Sequence, residues 1–340
     1  MNIAVNARFR HQPLTGVQRY ATEISARLQH GLRMVTPVSP DCHGFAGHLW
    51  EQFVLPTRVR EELLWSPGNT GPLLKTRQVV TVHDLATFDH PEWFNPRFSG
   101  FYRWLLPKLL PRVRSVICVS AFTRSRLLQL IPLDPARVVV SHPGVSRNFS
   151  RPSPEQIQRQ LAEFSLTPGY LLCLASSEPR KNQRRLLDAW AGLGTRFGVT
   201  LVLAGHAERR QIFGESTLST DPSVRSLGFV DESSLSALYS GAAAFVFPSL
   251  YEGFGFPPLE AMACETPVIA SRHPALREVL GDAAAYCDAF DTASIAEAIA
   301  RVLGSQPLRQ ELAGKGSERV RLFDWDRAAA ETRDVLTRAA

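Results

Sequence analysis

The sequence predicts an α/β fold of two doubly wound domains. Three observations carry that prediction: short apolar, β-branched runs alternate with longer segments of helical period, the runs are apolar on both faces, and the alternation pauses once near the middle. Strands that are apolar on both sides and separated by helices belong to parallel sheets covered on both faces. At 340 residues the chain is too long for one ordinary core and fills two comfortably.

In the first half the expected strands are "NIAVNA" (2–7), "RMVTPV" (33–38), "LLWSP" (63–67), "QVVTVHD" (78–84), "SVICVS" (115–120) and "RVVVSHPG" (137–144). Helical periods lie between most of them, such as "GVQRYATEISARLQ" (16–29) and "SAFTRSRLLQLI" (120–131). The pattern pauses at "SRNFSRPSPEQ" (146–156), a polar, proline-containing linker. A second series follows: "GYLLCLAS" (169–176), "VTLVLAGH" (199–206), "VRSLGFV" (224–230), "AAFVFPS" (243–249) and "TPVIAS" (266–271), with a long helical segment from about 307 onward. The expected domains are 1–147 and 148–320, both Rossmann-like, with 321–340 a C-terminal helix packing back toward the first. The expected binding site is the cleft between them, since open α/β sheets take ligands beyond the carboxyl ends of their strands.

Apolar residues make up 44% and charged residues 21%, which is ordinary for a folded soluble chain and far from the disordered range. Cys42, Cys118, Cys173, Cys264 and Cys287 are scattered, mostly inside apolar runs, with no CxxC and no cysteine–histidine metal spacing. They are expected to be buried reduced thiols of a cytoplasmic protein. The start "MNIAVNARF" lacks a basic region followed by a long apolar one, and no run of 18 apolar residues occurs, so neither export nor membrane spanning is expected. The net charge of +6 points to an anionic partner. Much of it sits in "RFSGFYRWLLPKLLPRVRS" (97–115), where only apolar or neutral residues separate Arg97, Arg103, Lys108, Arg112 and Arg114.

In "YEGFGFPPLEAMA" (251–263) a strand ends just upstream and a helix is expected to start at Pro257 or Pro258, because proline suits the first helical turn. Glycines between strand end and helix start let a ligand approach the backbone, and the free amides favour anionic or hydroxyl oxygens. Were the stretch wholly helical, Glu252 and Glu260 would lie about 12 Å apart along its axis. That exceeds the roughly 5–9.5 Å of a glycoside hydrolase pair. Two acceptors for different hydroxyls of an extended ligand fit better than an acid/base pair, against the plain alternative of two solvated carboxylates.

This E-x7-E pattern, within "GFGFPPLEAMACETPVIAS", resembles the donor-site signature of retaining nucleotide-sugar glycosyltransferases of the GT-B fold, in particular family GT4. Similarity extends over nearly the whole chain: "TGVQRYATEI" (15–24), "VTVHDLATF" (80–88), "VICVSAFTRSRL" and "SSEPRKNQRRLLDAW" each resemble family segments. The resemblance implies that Glu260 accepts from ribose hydroxyls and Glu252 contacts the hexose. Gly16, Gly253, Phe254, Gly255 and Phe256 would complete the donor site. Arg180 and Lys181 would clamp the diphosphate and stabilise the charge on the leaving nucleotide without a metal or other cofactor. Many relatives carry an arginine where this chain has Ser176, which leaves open whether Arg180 replaces that cation. His83, at the carboxyl end of its strand, would orient the sugar through its imidazole or its carbonyl. Arg19, Asp84 and Trp50 are expected on the acceptor side.

Ordinary roles compete with several of these assignments. A His–Asp pair at a strand end serves equally as a local cap, and Ser120 and Thr123 read first as helix caps. Gly16 could be a plain helix-start glycine, and Arg180 with Lys181 a solvated basic turn. The chain has no GxSxG, and its first strand lacks GxGxxG, which leaves hydrolase and dinucleotide roles unsupported.

Members of the "EPRKN" subgroup often use GDP-mannose to build bacterial polysaccharides on lipid carriers. The expected partners are thus a nucleotide sugar and a glycan or polyprenyl-diphosphate-linked acceptor, with dTDP-rhamnose or a UDP-sugar as alternative donors. A non-catalytic nucleotide-sugar-binding protein is the rival from another class. Segment 97–115 is expected either to touch anionic membrane peripherally, on the inner face of the cell membrane, or to be a core helix with a solvated basic face. Pro107 and Pro111 are expected to interrupt it. No nucleic-acid partner is expected, because the basic residues divide between a donor-type loop and one N-terminal segment instead of forming a stripe.

Overall fold

A computed structural model describes residues 2–28, 31–39, 44–205 and 221–340; Cys42 lies outside them. Two compact units emerge. Unit 1 comprises Met1–Pro91, Pro96–Gly144 and Phe323–Ala340, and unit 2 comprises Glu92–Asn95 and Val145–Leu322. The division falls after Gly144, where the sequence placed it at 147.

Unit 1 holds a six-stranded parallel sheet of β1 (Ile3–Asn6), β2 (Leu32–Val35), β3 (Leu63–Ser66), β4 (Gln78–Val82), β5 (Ser115–Cys118) and β6 (Val138–Val140), in the order β2-β1-β3-β4-β5-β6. All residues of β1, β3 and β4 are buried, as a sheet covered on both faces requires. One face packs Val80, Val82, Val116 and Cys118 against Leu105, Leu106 and Leu109 of the Pro96–Leu109 helix. The C-terminal helix Trp325–Ala339 belongs to this unit, with Trp325 only 2% exposed and its ring 6.2 Å from that of Tyr20. A Cβ on Gly144 would lie 2.2 Å from the backbone nitrogen of Trp325, so glycine is what lets the two backbones meet.

Unit 2 repeats the plan with β7 (Tyr170–Leu174), β8 (Leu201–Ala204), β9 (Val224–Gly228), β10 (Ala242–Phe247), β11 (Val268–Ser271) and β12 (Ala284–Cys287), in the order β12-β11-β10-β7-β8-β9. Strand β12, "AAYC", has no counterpart among the expected strands, because a short alanine-rich run carries little β-branched signal. The segment after 307 forms two helices, Gln306–Val320 and Trp325–Ala339.

Pro107 does not break its helix, which runs on to Leu109. It stands near the C-terminal end on the solvent side, and the carbonyl it leaves unpaired belongs to exposed Arg103, within reach of water. Cys118, Cys173, Cys264 and Cys287 are buried free thiols. Among the described residues no helix is long and apolar enough to cross a membrane.

Candidate active site

Strand order reverses in unit 2 between neighbours β7 and β10, and at such a switch point the loops leaving the carboxyl ends diverge to open a crevice. Both loops carry charge. After β7 the chain makes the turn Pro179–Lys181, and Asn182 follows at φ 60°, its side-chain amide donating to the carbonyls of Pro248 and Ala289. That anchor ties the β7 loop to the loop after β10, as does Leu250 N donating to the Arg180 carbonyl at 2.7 Å.

Glu252 is thereby brought to residues 71 and 72 positions away. Lys181 Nζ donates to its Oε1 at 2.7 Å and Arg180 Nη1 to its Oε2 at 3.0 Å, while Ser249 Oγ lies 2.7 Å from Oε1. Arg180 Nε also pairs with Glu178 Oε2 at 2.5 Å. Burial alone would push the Glu252 carboxyl up; Lys181 and Arg180, with the hydrogen bonds from Lys181 and Ser249, outweigh it and hold the group at about 2. Glu178 shifts the same way, its burial opposed by Arg180 and Lys181. Lys181 Nζ also sits 4.8 Å from the centre of the Phe247 ring. The result is a cluster of two carboxylates and two cations, close to neutral overall. An entering dianion would compete with Glu178 and Glu252 for the two cations.

Glu252 is only 6% exposed and Glu260 only 5%, so neither is a solvated surface carboxylate. Glu260 lies in the Phe256–Ala263 helix, and Tyr239 Oη donates to its Oε2 at 3.1 Å. The two glutamates have separate partners. Gly255 precedes the helix at φ 100°, a conformation that other residues adopt only with strain, and its amide and those of Phe256 and Gly253 belong to the loop end of the helix. The Phe254 side chain is 4% exposed and packs, its ring 5.1 Å from that of Phe256.

In unit 1 His83 follows β4. Its Nε2 lies 2.7 Å from the Pro67 carbonyl, which can only accept, so Nε2 carries the proton and Nδ1 keeps its lone pair. Burial pushes the imidazole down, outweighing that bond and the nearby Asp84, so the ring is neutral near pH 7. Asn69, at φ 60°, accepts from His83 N at 2.7 Å, and Thr123 Oγ1 donates to the His83 carbonyl at 3.3 Å. Ser120 caps its helix by accepting from Thr123 N, and Asp84 Oδ1 accepts from Ala86 N at 3.1 Å. Gly16 starts the Gly16–Arg27 helix, with Arg19 half-buried a turn later. Trp50, expected on the acceptor side, is 8% exposed and packs with Ala4, Val35, Leu55, Val59 and Leu64.

Sequence reasoning missed Glu178, Asn182, Ser249 and Tyr239. The first two stand inside the quoted "EPRKN" and could have been singled out; Ser249 and Tyr239 act on glutamates through folding alone. Ser176 accepts from Glu178 N at 3.2 Å, so it shapes the turn and carries no charge.

Two parallel units, with a buried glutamate and a basic loop at the switch point of the second, make up the GT-B glycosyltransferase architecture. Residues 155–319 match the family described as glycosyl transferases group 1, and residues 62–149 match glycosyltransferase family 4. The chain is 32% identical over 264 residues to the O-antigen chain mannosyltransferase B of Escherichia coli, covering 75% of itself and 69% of that protein. It is 29% identical over 273 residues to the E. coli serotype-specific mannosyltransferase WbdA, of which it spans 33%. The solved structure of Anabaena HepE in complex with UDP-glucose superposes with a TM-score of 0.78 at 17% identity, covering 99% of each chain. The chain belongs to glycosyltransferase family 4.

Proposed function

We propose that the protein is a retaining mannosyltransferase that uses GDP-mannose to extend a glycan or lipid-linked glycan in bacterial surface polysaccharide synthesis. The observation that carries the reading is buried Glu252, held ionised between Lys181 and Arg180 at the switch point of unit 2. The names of the E. coli relatives support mannose and a polysaccharide product. Unit 2 takes the donor. Glu260 accepts from the ribose hydroxyls and Glu252 from the hexose, with the amides around Gly253–Phe256 on sugar and phosphate oxygens. Arg180 and Lys181 turn from Glu252 toward the diphosphate and stabilise its growing charge, the part that a metal ion plays in other enzymes.

The bond from the anomeric carbon to the diphosphate breaks while the acceptor oxygen bonds to that carbon on the same face. The acceptor proton passes to the departing phosphate oxygen. Unit 1 serves the acceptor, and neutral His83 offers Nδ1 and its carbonyl to a sugar hydroxyl. Peripheral contact with anionic membrane through 97–115 is part of the same proposal. It is supported by Phe98 and Trp104, 37% and 50% exposed, among exposed Arg97, Arg103, Lys108 and Arg112.

A thermal-shift screen of GDP-, UDP-, dTDP- and ADP-sugars tests the donor, since ligand binding to the folded state raises the unfolding temperature. GDP-mannose should give the largest shift and be turned over. Lys181→Ala should lower kcat by about two orders of magnitude with the fold intact by circular dichroism. A preference for another base would replace the donor, and no shift with any sugar would refute the donor site.

A further inference from the structure

Unit 1 has its own strand-order reversal, between β1 and β3, and a buried charged cluster gathers there that the donor chemistry does not use. Asn6 ends β1 and Arg8 follows it; Thr70 follows β3; His48 and Glu51 come from the helical stretch Gly44–Leu49 and Trp50–Val54. Glu51 is the hub, its side chain 1% exposed. Asn6 Nδ2 donates to Oε2 at 2.7 Å, Thr70 Oγ1 donates to the same atom at 3.2 Å, and Arg8 Nη2 lies 3.9 Å from it. Arg8 Nη1 is 3.1 Å from His48 Nδ1, and since arginine can only donate, the imidazole carries its proton on Nε2. Glu51 Oε1, 3.8 Å from His48 Nδ1, receives no hydrogen bond among the described residues. A buried carboxylate oxygen left in that state is costly until something donates to it.

The cluster is not sealed. Arg8 and His48 keep 10% and 13% of their side chains exposed. The His48 ring lies 4.5 Å from Phe101 and 6.0 Å from Tyr102. These groups discriminate between ligands. Glu51 already cancels the charge of Arg8, so a phosphate gains little here. A hydroxyl both donates and accepts, and the C–H face of a sugar ring packs on aromatic carbon.

We infer that the exposed edge of Arg8 and His48, with Tyr102, binds a neutral saccharide unit of the acceptor, and that Glu51 is a positioning residue fixing Arg8 and the His48 tautomer. The inference rests on the acceptor-side reading of unit 1 given above, and it names the acceptor group by chemistry: hydroxyls, not a phosphate.

The test is saturation-transfer NMR on the full chain with methyl glycosides of mannose, glucose, galactose, rhamnose and N-acetylglucosamine, and with pyrophosphate as the anionic probe. At least one glycoside should bind the unaltered protein and bind about tenfold more weakly to Arg8→Lys, Tyr102→Phe and Glu51→Gln. The thermal response to GDP reports folding and the donor site separately, and should persist in each variant. Ring-nitrogen shifts of His48 should show Nδ1 unprotonated in the unaltered protein and a changed tautomer balance in Glu51→Gln, which a merely structural role would not produce. Absence of binding by every glycoside, binding unaffected by Arg8→Lys, or Arg8-dependent binding of pyrophosphate would each overturn the site. Loss of the GDP response in the unaltered protein would instead count against the donor reading and leave the saccharide result standing.

Discussion

Glu178 and Glu252 hold Arg180 from two sides, and that pairing decides how strongly the loop can attract a diphosphate. With two carboxylates balancing Arg180 and Lys181, the cluster is close to neutral. Glu252 is assigned to the sugar, but Glu178 has no partner in that scheme other than Arg180. Its charge therefore opposes phosphate binding at short range. Glu178→Gln keeps the shape and removes the charge, and GDP should bind about tenfold more tightly by titration calorimetry. Unchanged or weaker binding would mean that Glu178 matters by holding Arg180 in place. The glutamate opens "EPRKN" and could have been singled out, but its pairing with Arg180 beside Glu252 was not legible in the sequence. The same holds for Tyr239 on Glu260 and for Asn6, His48 and Thr70 around Glu51: contacts between loops many residues apart leave no local pattern.

Elements were more legible than contacts, because apolar runs and helical periods are local. The expected strands correspond to β1 through β11, whereas β12 is alanine-rich and escapes notice. The Pro96–Leu109 helix corrects the expectation in an instructive way, since a proline near a helix end on the solvent side costs one hydrogen bond that water replaces. The uninterrupted helix matters for the proposed membrane contact. Arg97, Trp104 and Lys108 follow the helical repeat along one exposed face, with the Lys108 ammonium 4.3 Å from the Trp104 ring, while Leu105, Leu106 and Leu109 face the core. Exposed Phe45, Leu49 and Phe53 form a second apolar stripe on the neighbouring helical stretch. The full chain should sediment with vesicles containing phosphatidylglycerol, with Trp104 fluorescence moving to the blue and binding falling as salt rises. Trp104→Ala and Lys108→Glu should each weaken it. Equal affinity for neutral phosphatidylcholine, or no binding to either, would leave the basic face as solvated surface.

Across the whole molecule, each unit keeps a buried ionised glutamate at the switch point of its sheet, Glu51 in the first and Glu252 in the second, and both have carboxyls held at about 2 against an ordinary 4.5. Unfolded, each would bind a proton near 4.5; folded, each resists until about 2, so between these values the unfolded chain holds more protons and acid favours it. Each contributes on the order of 3 kcal/mol above that window, lost as pH falls through it. His83 adds an earlier step. Its folded pKa lies below the ordinary 6.5, so the unfolded state also gains protons first as pH drops below that value. Urea midpoints should accordingly start to fall below about pH 6.5, and fall more steeply below about 4.5. His83→Gln should remove the first step alone. Because the acids lie in separate units, tryptophan signals from Trp65 in unit 1 and Trp190 in unit 2 should both report the steep loss. Variants that keep Trp65 or Trp190 as the sole one of the six tryptophans would separate the two. A midpoint that stays level down to pH 3.5 would show that neither glutamate is held as the geometry implies; a loss confined to one signal would localise the failure to the other unit.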